Sequence, residues 1–200
     1  MISIAIDGPS GAGKSSVAKA ISKKLGFIYV DTGALYRAIG FYVWSKGKDP
    51  SNETDVSSLL PEIHVEIRYQ DGSQHVILNG TDVSEDIRKP PISMAASHVS
   101  AHSEVRNFLL ELQRNFAQKS NVVMDGRDIG TVVLPHADIK IFLTASSEER
   151  ACRRFEELLQ KGETVEFDQI HEEIKQRDYN DSHRQIAPLK QAADAILVDT

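Results

Sequence analysis

The stretch "GPSGAGKSS", residues 8–16, decides how the rest of this 200-residue chain is read. It follows the apolar run "ISIAI" (2–6) and one acid, Asp7. It opens onto "KSSVAKAISKKL" (14–25), where Val17, Ile21 and Leu25 recur at helical spacing before Gly26. Strand, glycine turn and helix, in that order, frame an anion-binding loop. Gly8, Pro9, Ser10, Gly11, Ala12, Gly13, Lys14 and Ser15 satisfy G-x-x-x-x-G-K-[ST], with Ser16 next in the first helical turn. The glycines let successive N–H groups face one anion, and the helix adds its positive end. Lys14 then reaches the outer phosphates of a nucleotide, and the Ser15 hydroxyl is placed to ligate Mg2+. A match arises by chance about once in a hundred chains of this length.

Working outward, apolar strands recur as "FIYV" (27–30), "NVVM" (121–124), "DIKIFL" (138–143) and "DAILV" (194–198). A helix from about Gly33 carries Leu35, Tyr36, Ile39, Val43 and Trp44, and helical patterns occupy roughly 92–119, 147–160 and 167–182. Apolar strands alternating with helices predict an α/β fold, a parallel sheet covered by helices on both faces. Residues 61–80 break that rhythm. Ile63, Val65, Ile67 and Tyr69 alternate with polar residues, "DG" (71–72) signals a turn and "HVILNG" follows, so an antiparallel hairpin within 61–93 is expected beside the main sheet.

With 40% apolar and 26% charged residues the chain has enough material for one packed domain, which excludes a disordered or fibrous protein. A net charge of -6 argues against a general nucleic-acid binder, so any anion site must be built from particular residues. The lone cysteine, Cys152, reads as an ordinary helix residue and fits a reducing compartment. No segment reads as a membrane span or signal peptide, and a cytoplasmic location is expected. His98 and His102 share an i, i+4 spacing but lack a metal-site context and read as helix-surface residues.

A phosphate loop leaves the reaction open, because small-molecule kinases, GTPases and motor-like ATPases all use one. The chain has no Asn-Lys-x-Asp segment to read guanine. Three further clusters bear on the acceptor. "DTGALYRA" (31–38) puts Thr32 and Arg37 beyond the carboxyl end of the second strand, where open parallel sheets bind ligands. "VVMDGRDIGT" (122–131) ends another strand with Asp125, a candidate for the magnesium shell, and with Arg127 and Asp128. "RDYNDSHR" (177–184) sets Arg177, Asp181 and Arg184 on one helical face. A fourth, "ERACRRFEELLQKG" (149–162), carries Arg150, Arg153 and Arg154 ahead of Gly162 and suits a closing segment. Taken singly, each cluster also fits a capped turn or an ion-paired surface.

Taken together, GPSGAGKSS, DTGALYR, MDGRDIGTVV, SSEERACRR and RDYNDSHRQIAPL, in that order, resemble the bacterial cytidylate kinases over nearly the whole chain. The resemblance implies a P-loop NTPase-like core (about 1–33, 94–150 and 163–200), a nucleoside-monophosphate-binding insert (about 34–93) and a short lid (about 151–162). It implies ATP as donor, held by residues 8–16 with Arg150 and Arg154, and CMP or dCMP as acceptor. Arg37, Arg127 and Arg184 are then expected to hold the acceptor phosphate, and Arg177 and Asp181 to meet the ribose. Ser97, Arg106 and Asp128 are expected to read cytosine, with Thr32 and Tyr36 lining the same pocket. Lys14, Arg127, Arg154, Arg177 and Arg184 are the expected catalytic cations, with Ser15 and Asp125 on the metal, in a protein acting as a monomer. Thr32 stands where many relatives have Ser, Asn180 where an Arg is often found, and relatives usually continue into a terminal helix beyond the last strand. The alternatives weighed were a P-loop kinase for UMP or a sugar acid, and a nucleotide-binding switch.

Overall fold

A computed structural model describes residues 1–70 and 72–200. Burial falls off from the middle of the main sheet to its rim. Strands β1 (Ser3–Asp7) and β6 (Val122–Gly126) are almost wholly buried, whereas the last strand, β8 (Ile196–Asp199), is exposed along its length. Between these extremes stand β2 (Ile28–Asp31) and β7 (Ile139–Thr144). Among the described residues these five strands form one parallel sheet in the order β2-β6-β1-β7-β8. Near-continuous Val, Ile and Ala runs suit the two central strands, which are covered on both faces. The register sets Ile6 opposite Asp125, and Asp31 beside Asp125 on the other side. Asp7, Asp31 and Asp125 therefore emerge together at the carboxyl edge of the sheet.

Helix α1 (Lys14–Leu25) follows the glycine loop over the expected span. Its buried face is centred on Lys14, Ala18 and Ser22, and Leu25 is exposed. Helix α2 (Thr32–Ser45) is capped by Asp31, whose carboxylate accepts from Ala34 N at 3.0 Å, and buries Leu35, Ile39 and Val43.

After α3 (Glu53–Leu59), the alternating segment forms β3 (Val65–Gln70) and β4 (Ser73–Leu78), paired antiparallel as expected. A third strand, β5 (Thr81–Asp82), joins them. Of the turn dipeptide, Asp71 lies outside the described residues, and Gly72 takes a positive φ of 75°.

The helix expected over 92–119 is two helices, α4 (Pro90–Val99) and α5 (Ser103–Lys119). The chain turns at Ser100–His102, and Arg106 donates to the Ser100 carbonyl across that break at 3.2 Å. His98 and His102 thus do not share a helix, and His102 Nε2 lies 3.0 Å from Pro50 O. Helix α4 packs closely on α2 at Gly40, where a Cβ would lie 3.0 Å from the Ala95 and Ala96 backbone.

Helices α6 (Ser147–Gln160) and α7 (Phe167–His183) form a hairpin around Gly162, whose φ is 79°. Ala151, Leu158, Ile170 and Ile174 hold the two together. A capping box between Ser146 and Glu149 starts α6. Cys152 is an exposed residue of α6. Helix α7 ends at His183, so Arg184 is not on its face, contrary to the periodicity reading; its backbone N–H still closes the last turn on Asn180 O. Among the described residues, no helix is long and apolar enough to cross a membrane.

Candidate active site

The loop of residues 8–13 leaves β1 through Gly8, at φ 147°, where a Cβ would stand 2.0 Å from Leu143 O of the neighbouring strand. Only glycine passes there without moving the sheet. Lys14, 6% exposed, curls back so that its Nζ donates to Pro9 O at 2.6 Å. Burial and the nearby Arg127 charge hold its ammonium well below the ordinary lysine pKa. An anion in the loop would reverse that penalty. Beside it, Ser15 Oγ donates to Asp125 Oδ2 at 2.9 Å and Tyr29 OH to Asp125 Oδ1 at 3.0 Å. Burial and the neighbouring Asp31 push the Asp125 carboxyl up to about 6.

Beyond Asp125 lies an open cleft of about 820 Å³, with the phosphate loop at one end. Its other walls come from α2, α4, α5, the β6 loop and α7. Four arginines are held here by acids. Arg127 Nε donates to Asp181 Oδ2 at 2.8 Å, and Arg37 sits 3.7 Å from Asp31. Arg106 pairs closely with Asp128, whose other oxygen lies 3.4 Å from Arg184 Nη2. Burial works against the charge of Arg127, but Asp181 outweighs it, and the guanidinium is held above its usual pKa. Arg177 is the exception. Its Nη1 donates to Ser93 Oγ at 2.6 Å and Ser10 Oγ at 3.2 Å, and among the described residues no carboxylate is bonded to it and its buried Nε has no partner. Burial and the Arg127 charge lower it to about 10. Two half-buried arginines that repel each other, one of them with an unbonded buried Nε, form a site that an anion would complete.

At the far end, Ser97 Oγ is buried without a partner among the described residues, and the Arg106 guanidinium lies 5.6 Å from the centre of the Tyr36 ring. Thr32 Oγ1 donates to Asp125 O at 2.7 Å, which ties α2 to β6.

The cytidylate kinase family model matches residues 4–200. The chain belongs to the cytidylate kinase family. It is 52% identical over 199 residues to a cytidylate kinase of Caldicellulosiruptor saccharolyticus, covering 100% of this chain and 88% of that one. It is 51% identical over 197 residues to a cytidylate kinase of Carboxydothermus hydrogenoformans, covering 98% and 89%. A solved uncharacterized protein from Eubacterium ventriosum shares the fold at 14% identity, with a TM-score of 0.50 over 100% of this chain and 89% of that one.

Of the residues expected from likeness to this family, Thr32, Tyr36, Arg37, Ser97, Arg106, Asp125, Arg127, Asp128, Arg177, Asp181 and Arg184 all line the one cleft, as do Ser10, Gly11, Lys14 and Ser15. Arg150 does not. It is buried, and its guanidinium donates to Ala145 O, Ser146 O, Ser10 O and both oxygens of Asp178, so it braces the loop against α7. Arg154 pairs with Glu157 on the exposed side of α6, and Asn180 accepts from Gln176 on α7. Reading for cytidylate kinase motifs missed Asp178, Ser93 and Ser100, whose hydroxyl meets Arg184 at 3.1 Å. These are small polar residues on helices or, for Ser100, at a helix end, with no local pattern to mark them. Asp7 was visible at the end of its apolar strand but received no role. Its carboxylate, pushed up to about 6 by burial, accepts from Ile129 N and Gly130 N, both at 2.7 Å.

Proposed function

We propose that this kinase transfers the outer phosphoryl group of ATP to CMP or dCMP, giving ADP and the cytidine diphosphate. One observation carries the reading: the phosphate loop and a second group of arginines face the same cleft, and Arg177 reaches from Ser10 of the loop to Ser93 on α4. An oxygen of the acceptor phosphate attacks the outer phosphorus of ATP. The bond from that phosphorus to the bridging oxygen breaks, and ADP leaves with the electron pair. No protein nucleophile takes part, so catalysis is positioning plus charge stabilisation.

Arg37, Arg127 and Arg184 would exchange their carboxylate partners for acceptor phosphate oxygens, and Arg177 would meet the anion with its free Nε. Residues 8–16, with Arg154 at the lid, would hold the ATP phosphates, and Arg150 would act on them through Ser10. The segment 151–162 would close as a lid and exclude water. The hydroxyl of Ser15 and the carboxylate of Asp125 are hard oxygen donors 2.9 Å apart. That set fits Mg2+, which takes one or two protein oxygens besides substrate phosphates. When bound there, the ion would neutralise charge on the outer phosphates.

The choice of base follows from donors and acceptors. Cytosine offers a 4-amino donor, which a carboxylate accepts, whereas uracil presents an oxygen there. Asp128 would accept that hydrogen bond, Arg106 would donate to the ring nitrogen or carbonyl, and the Ser97 Oγ would complete the edge. A coupled assay with ATP and CMP, dCMP, UMP or AMP tests the reading. The cytidine monophosphates are expected to exceed UMP in kcat/KM by at least about tenfold, the worth of one good polar contact. Equal rates for all four, or ATP turnover indifferent to any acceptor, would refute it.

A further inference from the structure

Asp7 ends the central strand β1 directly ahead of the phosphate loop, and it is 4% exposed. A carboxylate so deep in a protein is costly unless it is bonded, and in this fold its bonds lead to one place. Oδ1 accepts from Ile129 N and Oδ2 from Gly130 N, both at 2.7 Å. Those two N–H groups open a single wide helical turn, Ile129–Val133, and have no helical carbonyl of their own to bond. At the other end of the turn, Arg114 donates to Val132 O and Val133 O, each at 3.0 Å. An acid caps the amino end and an arginine the carboxyl end, in the sense the turn dipole favours. The residue immediately before the turn is Asp128, held at φ −148° and ψ 27° with its carboxylate between Arg106 and Arg184. Gly130 packs tightly on the same carboxylate, since a Cβ there would lie 3.3 Å from Asp7 Oδ2 and 3.2 Å from Lys140 Cδ.

We infer that Asp7 is a positioning residue for acceptor choice: it touches no substrate, but by gripping the Ile129 and Gly130 amides it fixes Asp128 where the base edge is read. The inference rests on the cytosine reading given under Proposed function. An apolar residue would serve the strand itself equally well, being cheaper to bury. A carboxylate gives each of the two adjacent amides an oxygen of its own. Asn offers one oxygen and turns an NH2 donor toward the second amide.

The test is steady-state kinetics of wild type, Asp7→Asn and Gly130→Ala with CMP and UMP, each at saturating ATP, together with the KM for ATP. Gly130 has no positive φ to forbid alanine, so this milder variant tests the same contact should Asp7→Asn fold poorly. In Asp7→Asn the CMP:UMP ratio of kcat/KM is expected to fall about tenfold, within the span of one base contact, through a higher KM for CMP. The KM for ATP should stay within about twofold, and Gly130→Ala should shift the ratio about threefold in the same direction. A merely structural role would lower activity with both acceptors alike. A ratio unchanged in whichever variants fold, or KM values for ATP and CMP that rise together, would overturn the inference while leaving the cytosine reading intact. A wild-type enzyme with no preference for CMP would overturn both.

Discussion

The two ends of the cleft are built on opposite plans. The end proposed for the donor is one contiguous loop whose glycine backbone shapes the site, with Lys14 and Ser15 beside it. The end proposed for the acceptor is assembled from α2, α4, α5, the β6 loop and α7, and its side chains are held in ion pairs. A loop of N–H groups suits any outer phosphates and does not discriminate among acceptors. A set of buried acid–arginine pairs recognises one shape, and each removal leaves a charge behind. Donor changes should therefore affect all acceptors equally, and acceptor changes should alter stability or choice as well as rate.

The largest effect is expected at Lys14. Lys14→Met removes the buried cation over the loop and should cost on the order of 10³ in kcat/KM, near the upper end for a preorganised donor. The loss should be the same for CMP and UMP. An unequal loss in that assay would break the division between the two ends.

Next comes Arg127→Met, which strips the partner from Asp181, a buried acid whose carboxyl is held below its usual pKa by Arg127 and Arg177 against the opposing effect of burial. Activity should fall about 10²-fold or more. Stability should fall by roughly 3 to 5 kcal/mol, the usual cost of an uncompensated buried charge. The double variant Arg127→Met/Asp181→Leu should regain most of the stability in urea unfolding and none of the activity. Lys14→Met gives the contrast, since its ammonium bonds only a carbonyl oxygen and its loss orphans no salt-bridged acid.

The same contrast explains what the chain disclosed before it was seen folded. The donor loop was legible because the fixed positions of an eight-residue motif lie close together in sequence and each has a task, and helix α1 fell where its pattern put it. Arg37 and Arg127 were legible as charges just beyond strand ends, and Arg177 as a charge on a helical face. Ser97 and Arg106 were not, except by likeness to a family, because nothing within their helices distinguishes a pocket residue from a surface one. The break at Ser100–His102 went unread because apolar spacing runs on across it, and Arg106, reaching back to Ser100 O, bonds there only in three dimensions. Arg150, expected on ATP, stands outside the cleft lining for a related reason: the sequence shows the charge but not Asp178, 28 positions away, which pairs with it.

A smaller effect should separate choice from rate. Asp128→Asn keeps the shape at the base edge but turns one acceptor into a donor and leaves Arg106 and Arg184 without their carboxylate. The CMP:UMP ratio should drop by about 10- to 100-fold, or roughly 1 to 3 kcal/mol, with less change in kcat for UMP. Equal losses with both acceptors would move base reading away from Asp128.

The smallest expected effect lies in stability and is carried by Asp7. Its carboxyl is pushed from the ordinary 3.8 to about 6 by burial, against two amide bonds that pull it down. Between those values the folded chain keeps a proton that the unfolded chain has released. Its stabilising contribution is complete below about pH 3.8 and is lost as pH rises through about 6. Asp7→Asn does not titrate, so wild type should lose several degrees of Tm relative to this variant between pH 4 and pH 7. Measured on ligand-free protein, the difference cancels other titrations, including that of Asp125. A flat difference would mean that the two amides fully repay the burial. A sloping one makes Asp7 a place where the acceptor end gives up stability at neutral pH to keep its base reader fixed. The donor loop meets no such conflict at Gly8, where the residue that permits the turn is also the one that fits against Leu143 O.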